Sequence, residues 1–183
     1  MKYLYLCAVP VLLLTGCFSN YKQSVEMDLL PDEPVQTEQM PAARIGVIRN
    51  NSGAGLPAVI RLKNGLVETD KYARWLVGPD QMLERELHRV LNTTDTSSIR
   101  LNGNVLACEF DRPSHQAVLE IAFEAKKGKF TKRLKKRFTA GVQLKDGESP
   151  QAQVAAMAKA MSSCYRQASL AAAGLIREVD KQK

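Results

Sequence analysis

Few residues in this 183-residue chain are of types that do chemistry, so they bound its function first. There are two histidines, four cysteines and a dense run of cations between Lys126 and Arg137. Ser114 and His115 beside Asp111 hold the residue types of a nucleophilic triad, but adjacent side chains of an extended segment point to opposite faces. Neither a G-x-S-x-G elbow nor an H-E-x-x-H pair is present. The cysteines lack C-x-x-C spacing, so neither a metal site nor a cofactor is expected. The expectation is a chain without catalytic residues.

One cysteine has a different meaning. A single cation, Lys2, precedes an apolar run from Tyr3 to Leu14 that is too short to span a bilayer, and the small pair Thr15-Gly16 stands directly before Cys17. This is the pattern of a bacterial lipoprotein signal. Cleavage between Gly16 and Cys17 would leave Cys17 as the first mature residue, carrying a thioether-linked diacylglycerol and an N-acyl chain such as palmitate. One acyl chain binds a membrane only marginally, whereas two or more hold it stably. An ordinary signal peptide followed by a chance cysteine is the competing reading. The expected organisation is a leader over 1–16, a flexible lipid-anchored tether over 17–42, and one domain over 43–179. Pro31, Pro34 and Pro41, with several acids and few large apolar residues, mark the tether. Within it, Val25 to Leu29 alternates and could add an edge strand.

The formal net charge is +7, falling by one when Lys2 leaves with the leader. Export excludes nucleic acid as the partner of that charge and leaves lipid head groups or acidic protein surfaces. The cations concentrate in Lys126, Lys127, Lys129, Lys132, Arg133, Lys135, Lys136 and Arg137. In a strand, Arg133, Lys135 and Arg137 share one face with no acid of their own segment between them. The simplest reading is a solvated strand face whose lysines discourage aggregation. The sharper one is an anionic-surface or partner-binding site at Lys126, Lys127, Lys129, Arg133, Lys135 and Arg137. Cys108 and Cys164 read as two inert buried thiols. A disulfide between them, which would stabilise by about 4 kcal/mol in the chain-entropy model, is the alternative.

The elements that must position these residues follow from period and turn chemistry. Arg44 to Ile48 reads as a core strand. The runs Pro57 to Lys63 and Leu66 to Thr69 flank Asn64-Gly65, which predicts a hairpin with a type I′ turn. Asn102-Gly103 repeats the signal between Ile99-Arg100-Leu101 and Asn104 to Asp111, predicting a second hairpin there. Gln116 to Ala125 alternates, Gly128 turns the chain, and Phe130, Leu134 and Phe138 fit either a return strand or a helix; the hairpin favours the strand. Pro79 opens a helix with Leu83, Leu87, Val90 and Leu91 on one face. Ser149-Pro150 caps the longest helix, whose stripe runs Val154, Ala158, Met161, Tyr165, Ala168, Ala172, Leu175 and Val179. The expected fold class is α/β (α+β): a mixed, largely antiparallel sheet built from hairpins, with two main helices packed on it and the longer one C-terminal.

In this order the segments resemble the ABC-type transport auxiliary lipoprotein family. The likeness rests on Pro57-Ala58-Val59-Ile60-Arg61, on Tyr72-Ala73-Arg74-Trp75 with the helix after it, on Val105 to Phe110, on the Ala117 to Phe138 hairpin and on the alanine-rich last helix. Pro57, Arg61, Arg74 and Trp75 would be the structural motif residues. The resemblance implies a non-catalytic accessory component of an intermembrane lipid transport system. Its partners would be the membrane through the lipid anchor, a mammalian-cell-entry type substrate-binding protein, and an ABC permease with its ATPase. It also implies a place on the inner leaflet of the outer membrane, facing the periplasm; Phe18 lacks the aspartate that commonly retains lipoproteins at the inner membrane. A homo-oligomer stays open. A structural or assembly lipoprotein of another envelope complex is the competing function, and a periplasmic hydrolase a weak third.

Overall fold

The computed structural model describes residues 24–29, 42–143 and 149–182. Gly16 and Cys17 lie outside them. Seven strands form one sheet: β1 (Val25–Met27), β2 (Arg44–Asn50), β3 (Pro57–Arg61), β4 (Val67–Trp75), β5 (Ile99–Asp111), β6 (Gln116–Lys127) and β7 (Phe130–Gly141). Helix α1 (Pro79–Val90) connects β4 to β5, and α2 (Pro150–Asp180) follows β7. This is the mixed sheet with two helices, the longer C-terminal, that patterning implies.

The sheet order is β1-β4-β3-β5-β6-β7, with β2 also paired to β5. The long ladders, β5 with β6 and β6 with β7, are antiparallel. Three short ones, β1 with β4, β2 with β5 and β3 with β5, are parallel. One edge of β5 is therefore shared: β2 takes its first half, from Arg44 opposite Arg100 to Asn50 opposite Val105, and β3 takes its end, from Ile60 opposite Phe110. β1 lies inside the segment read as tether, yet it pairs with Ala73 to Trp75 and buries Met27 in the core.

Both helices cover one face. Every residue of the stripe from Val154 to Val179 is buried, and so are Met82, Leu83, Leu87 and Val90 of α1. Ser149 caps α2 by accepting from the Ala152 amide, while Pro150 supplies a first-turn residue with no amide to satisfy. Tyr165 joins the layers: its hydroxyl donates to the Pro79 carbonyl at 3.1 Å, and it lies 3.6 Å from the Cys108 sulfur.

The two Asn-Gly pairs separate in the structure. At Asn64-Gly65 a hairpin forms, but only Gly65 has a positive φ, 77°, so the turn is not type I′. The Gly65 amide bonds the Leu62 carbonyl and the Leu62 amide bonds the Leu66 carbonyl, which is a type I turn closed by a left-handed glycine. At Asn102-Gly103 there is no turn at all, because β5 runs unbroken from Ile99 to Asp111. A β-carbon on Gly103 would come within 2.9 Å of Ile48, 3.3 Å of Leu83 and 3.4 Å of Phe123, so this glycine serves close packing of α1 on the sheet. Asn102 repairs a bulge in β2 by accepting from the Val47 amide at 3.0 Å, where β2 shifts register between Ile45 and Ile48. A second bulge, between Val105 and Ala107 of β5, moves Leu106 off the buried face that Cys108 and Phe110 share.

Candidate functional site: the open face of the sheet

With both helices on one side, no described residue outside the sheet covers the other face of β2, β5, β6 and β7. Alternation puts Thr131, Arg133, Lys135, Arg137 and Thr139 of β7 there, beside Glu120, Ala122 and Glu124 of β6. The basic strand therefore does meet acids, supplied by its neighbour. Arg133 pairs with Glu124 at 2.8 Å and Lys135 with Glu120 at 3.0 Å. The bond from Arg133 holds the Glu124 carboxyl below its usual range. Arg137 stands exposed on the same face, without an ion pair among the described residues.

A groove of about 530 Å³ crosses this face, lined by Val47 and Arg49 of β2, Arg100, Asn102 and Asn104 of β5, Ala122 and Glu124 of β6, and Arg133 and Lys135 of β7. Arg49 and Arg100 are exposed and have no ion pair among the described residues. The Asn104 amide oxygen is buried there without a hydrogen-bond partner among them. Sequence reasoning singled out neither arginine. The available signal was parity: Arg100 lies between Ile99 and Leu101, which are buried, and Arg49 follows Ile48, which packs against the core. Such a surface offers unneutralised guanidinium groups, suited to an anionic partner surface.

The other expected site residues disperse. Lys126 is exposed near the end of β6, and Lys129 lies 5.6 Å over the Phe130 ring. Lys127 is a strut to the helix layer, its ammonium donating to the Asp180 carbonyl at 2.9 Å and carboxylate at 3.0 Å. Pro57 opens β3. Arg61 makes two 2.8 Å bonds to Glu109, which is 7% exposed. Arg74 stands on β4 opposite Glu26 of β1, and Trp75 is buried and stacked on Phe110 at 6.2 Å. These motif residues hold the β1-β4-β3-β5 region together and do not border the groove.

Cys108 and Cys164 are both free and buried at the interface of α2 with the sheet. Burial pushes each thiol up to about 12, and Cys108 adds to the shift at Cys164. The Cys164 thiol donates to the Ala117 carbonyl at 3.6 Å. The triad residue types form a turn: Ser114 donates to Asp111, and His115 adopts a left-handed φ of 52°. His88 Nδ1 lies 3.0 Å from the Thr93 hydroxyl. Among the described residues no group of His, Cys, Asp and Glu is arranged to hold a metal, and no helix is long and apolar enough to cross a membrane.

No family model and no curated protein matches the chain. Solved structures do. An uncharacterized protein aligns with TM-score 0.61 and 14% identity, over 86% of this chain and 99% of its own. Protein XCC0632 from Xanthomonas campestris, of the DUF330 family, aligns with TM-score 0.57 and 13% identity, over 88% of this chain and all of its own. A candidate lipoprotein from Caulobacter crescentus reaches TM-score 0.40 and 15% identity over 57% of this chain and 85% of its own, which is too low to bear on the fold. What the chain shares with the first two, across nearly their whole lengths, is its architecture.

Proposed function

We propose that this chain is a lipid-anchored, non-catalytic accessory subunit of an envelope lipid-transport machine of the ABC and mammalian-cell-entry kind. It would be held through Cys17 at the periplasmic face of the outer membrane and would work by docking. The observation that carries the docking part is the open face, where Arg49, Arg100 and Arg137 stand without an ion pair among the described residues around the Arg133–Glu124 and Lys135–Glu120 pairs. An antiparallel sheet can expose one face to water without any further role. Arg49 and Arg100, converging on one groove from β2 and β5 without an ion pair among the described residues, favour a partner surface over simple solvation. The anchoring part is supported by the register of the Lys2 to Leu14 run, Thr15-Gly16 and Cys17, and the transport part by the order of segments that resembles the auxiliary lipoproteins.

Site-specific photocrosslinking tests the reading. A crosslinker at Val47, exposed on the rim of the groove, should capture the permease or the mammalian-cell-entry type protein from envelope membranes, while one at Leu170 on α2 should not. Equal capture from both positions, or none of these partners at Val47, would refute it.

A further inference from the structure

The β3–β4 hairpin breaks the composition rule its turn otherwise follows. Lys63, Asn64 and Gly65 are ordinary turn residues, but Leu66 and Val67 come next, 62% and 52% exposed. Leu66 is the most exposed large apolar side chain among the described residues. Single exposed apolar residues need no explanation, but two adjacent ones at a hairpin tip, neither belonging to the core, present apolar surface on both sides of that tip.

The direction of β1 says what medium that tip meets. β1 runs parallel to β4, with Val25 opposite Ala73 and Met27 opposite Trp75. The chain therefore enters β1 from the side of the sheet on which the β3–β4 hairpin lies. Eight Cα-to-Cα steps lead from Cys17 to Val25, and at about 3.5 Å each they reach no more than about 28 Å. The β6–β7 turn is at the opposite end, since Ile99 pairs with Lys127 while Asp111, next to the end of β3, pairs with Gln116. β5 keeps the two ends about 40 Å apart. Lys63, exposed three residues before Leu66, suits an anionic head-group layer, and the acid that follows Val67, Glu68, is paired with Arg112 at 3.5 Å.

We infer that the tip of the β3–β4 hairpin is a membrane-contact element, with Leu66 and Val67 seated at the head-group and acyl boundary beside the anchor and Lys63 among the head groups. The inference rests on the reading of Cys17 as lipidated. It stands the domain on the hairpin end of its sheet and points Lys126 to Lys129 away from the membrane that holds it.

The test uses the mature lipoprotein, reconstituted into phosphatidylethanolamine and phosphatidylglycerol vesicles, with an environment-sensitive fluorophore on Leu66→Cys or, at the far end, Lys129→Cys. Cys108 and Cys164 are buried with thiols raised to about 12, so the introduced cysteine is the one labelled. The probe at 66 should shift to the blue and be quenched by spin-labelled lipid, and the probe at 129 should do neither. A water-like probe at 66, or equal quenching at both positions, overturns the inference while leaving the anchor intact. The mass of the N-terminal peptide separates the two claims, because an unmodified Cys17 overturns both.

Discussion

Replacing Gly103 by alanine tests the placement of the second Asn-Gly pair, and its consequence can be worked from distances. The new methyl would lie 2.9 Å from Ile48, 3.3 Å from Leu83 and 3.4 Å from Phe123, atoms on three different elements that cannot all yield in one direction. Overpacking of this kind costs about 1–3 kcal/mol. Removing a glycine from a strand returns about 0.5–1 kcal/mol of chain entropy, so the net loss should be about 1 kcal/mol. Gly65→Ala should lose about the same for a different reason: nothing lies within 4 Å of its β-carbon, but φ is 77°. The single variants therefore look alike, and a cycle separates them. Ile48→Val alone should cost about 0.5–1.5 kcal/mol, yet in the Gly103→Ala background it removes the closest clashing carbon and should cost nothing or restore stability. With Gly65→Ala the same change should add within about 0.5 kcal/mol. Urea unfolding followed through Trp75, the single tryptophan, buried against Phe110, reads all five variants. Simple additivity of Ile48→Val with Gly103→Ala, or a Gly103→Ala protein as stable as the parent, would refute the packing account.

Other outcomes follow from buried and paired groups. Tyr165→Phe should destabilise by about 1 kcal/mol through loss of the bond to Pro79, measured by the same unfolding, and an unchanged midpoint would count against that bond. The folded thiols of Cys108 and Cys164 are raised to about 12, so the stability they contribute is fully present below the unfolded-state value near 9 and is lost as pH rises from there towards about 12. A thiol reagent at pH 8 should accordingly react with neither until the protein unfolds, and prompt reaction of the native chain would contradict their burial. Arg133→Ala should let the Glu124 carboxyl rise towards its ordinary range, followed by carboxyl-carbon NMR titration; no movement would show that Arg133 is not what holds it down. Glu124 favours folding above its unfolded-state value, and that small contribution fades as pH falls through its depressed one.

Where local sequence and tertiary demand agree, the fold was legible. Gln116 to Phe138 reads as a hairpin because the first arm alternates with a period of two and Gly128, with φ 56°, sits where the turn needs it; the return arm, whose Phe130, Leu134 and Phe138 fit a helix equally, is fixed only by that turn. The α2 stripe was readable to its last residue because one face stays against the sheet for its whole length. Asn-Gly was ambiguous because the dipeptide announces a backbone freedom without saying whether a turn or close packing uses it. Asn102 spends its side chain on a bulge in a strand that lies 55 positions away in sequence. The same distance hid half the groove: Arg49 and Arg100 meet Arg133 and Lys135 only once β2 has found β5, whereas the cations of β7 announce themselves as a run. The acids that partly neutralise that run were hidden too, because pairing register and not sequence adjacency puts Glu120 and Glu124 beside it.

The shared edge of β5 also sets an order of assembly. β2 and β3 are made early but have no complete place until β5, whose first residue is Ile99, has been delivered, and β1 must wait for β4. From β5 onward the chain is self-sufficient in sequence, each strand pairing with the next and α2 closing over them. A protein threaded across a membrane N-terminus first would thus emerge with its early strands unable to lock, leaving time for chemistry at its start before the domain closes. Nucleation in the later half, with β2 and β3 added along a finished edge, is the kinetic signature this topology predicts, and pulsed hydrogen exchange would see amides of β5 and β6 protected before those of β2.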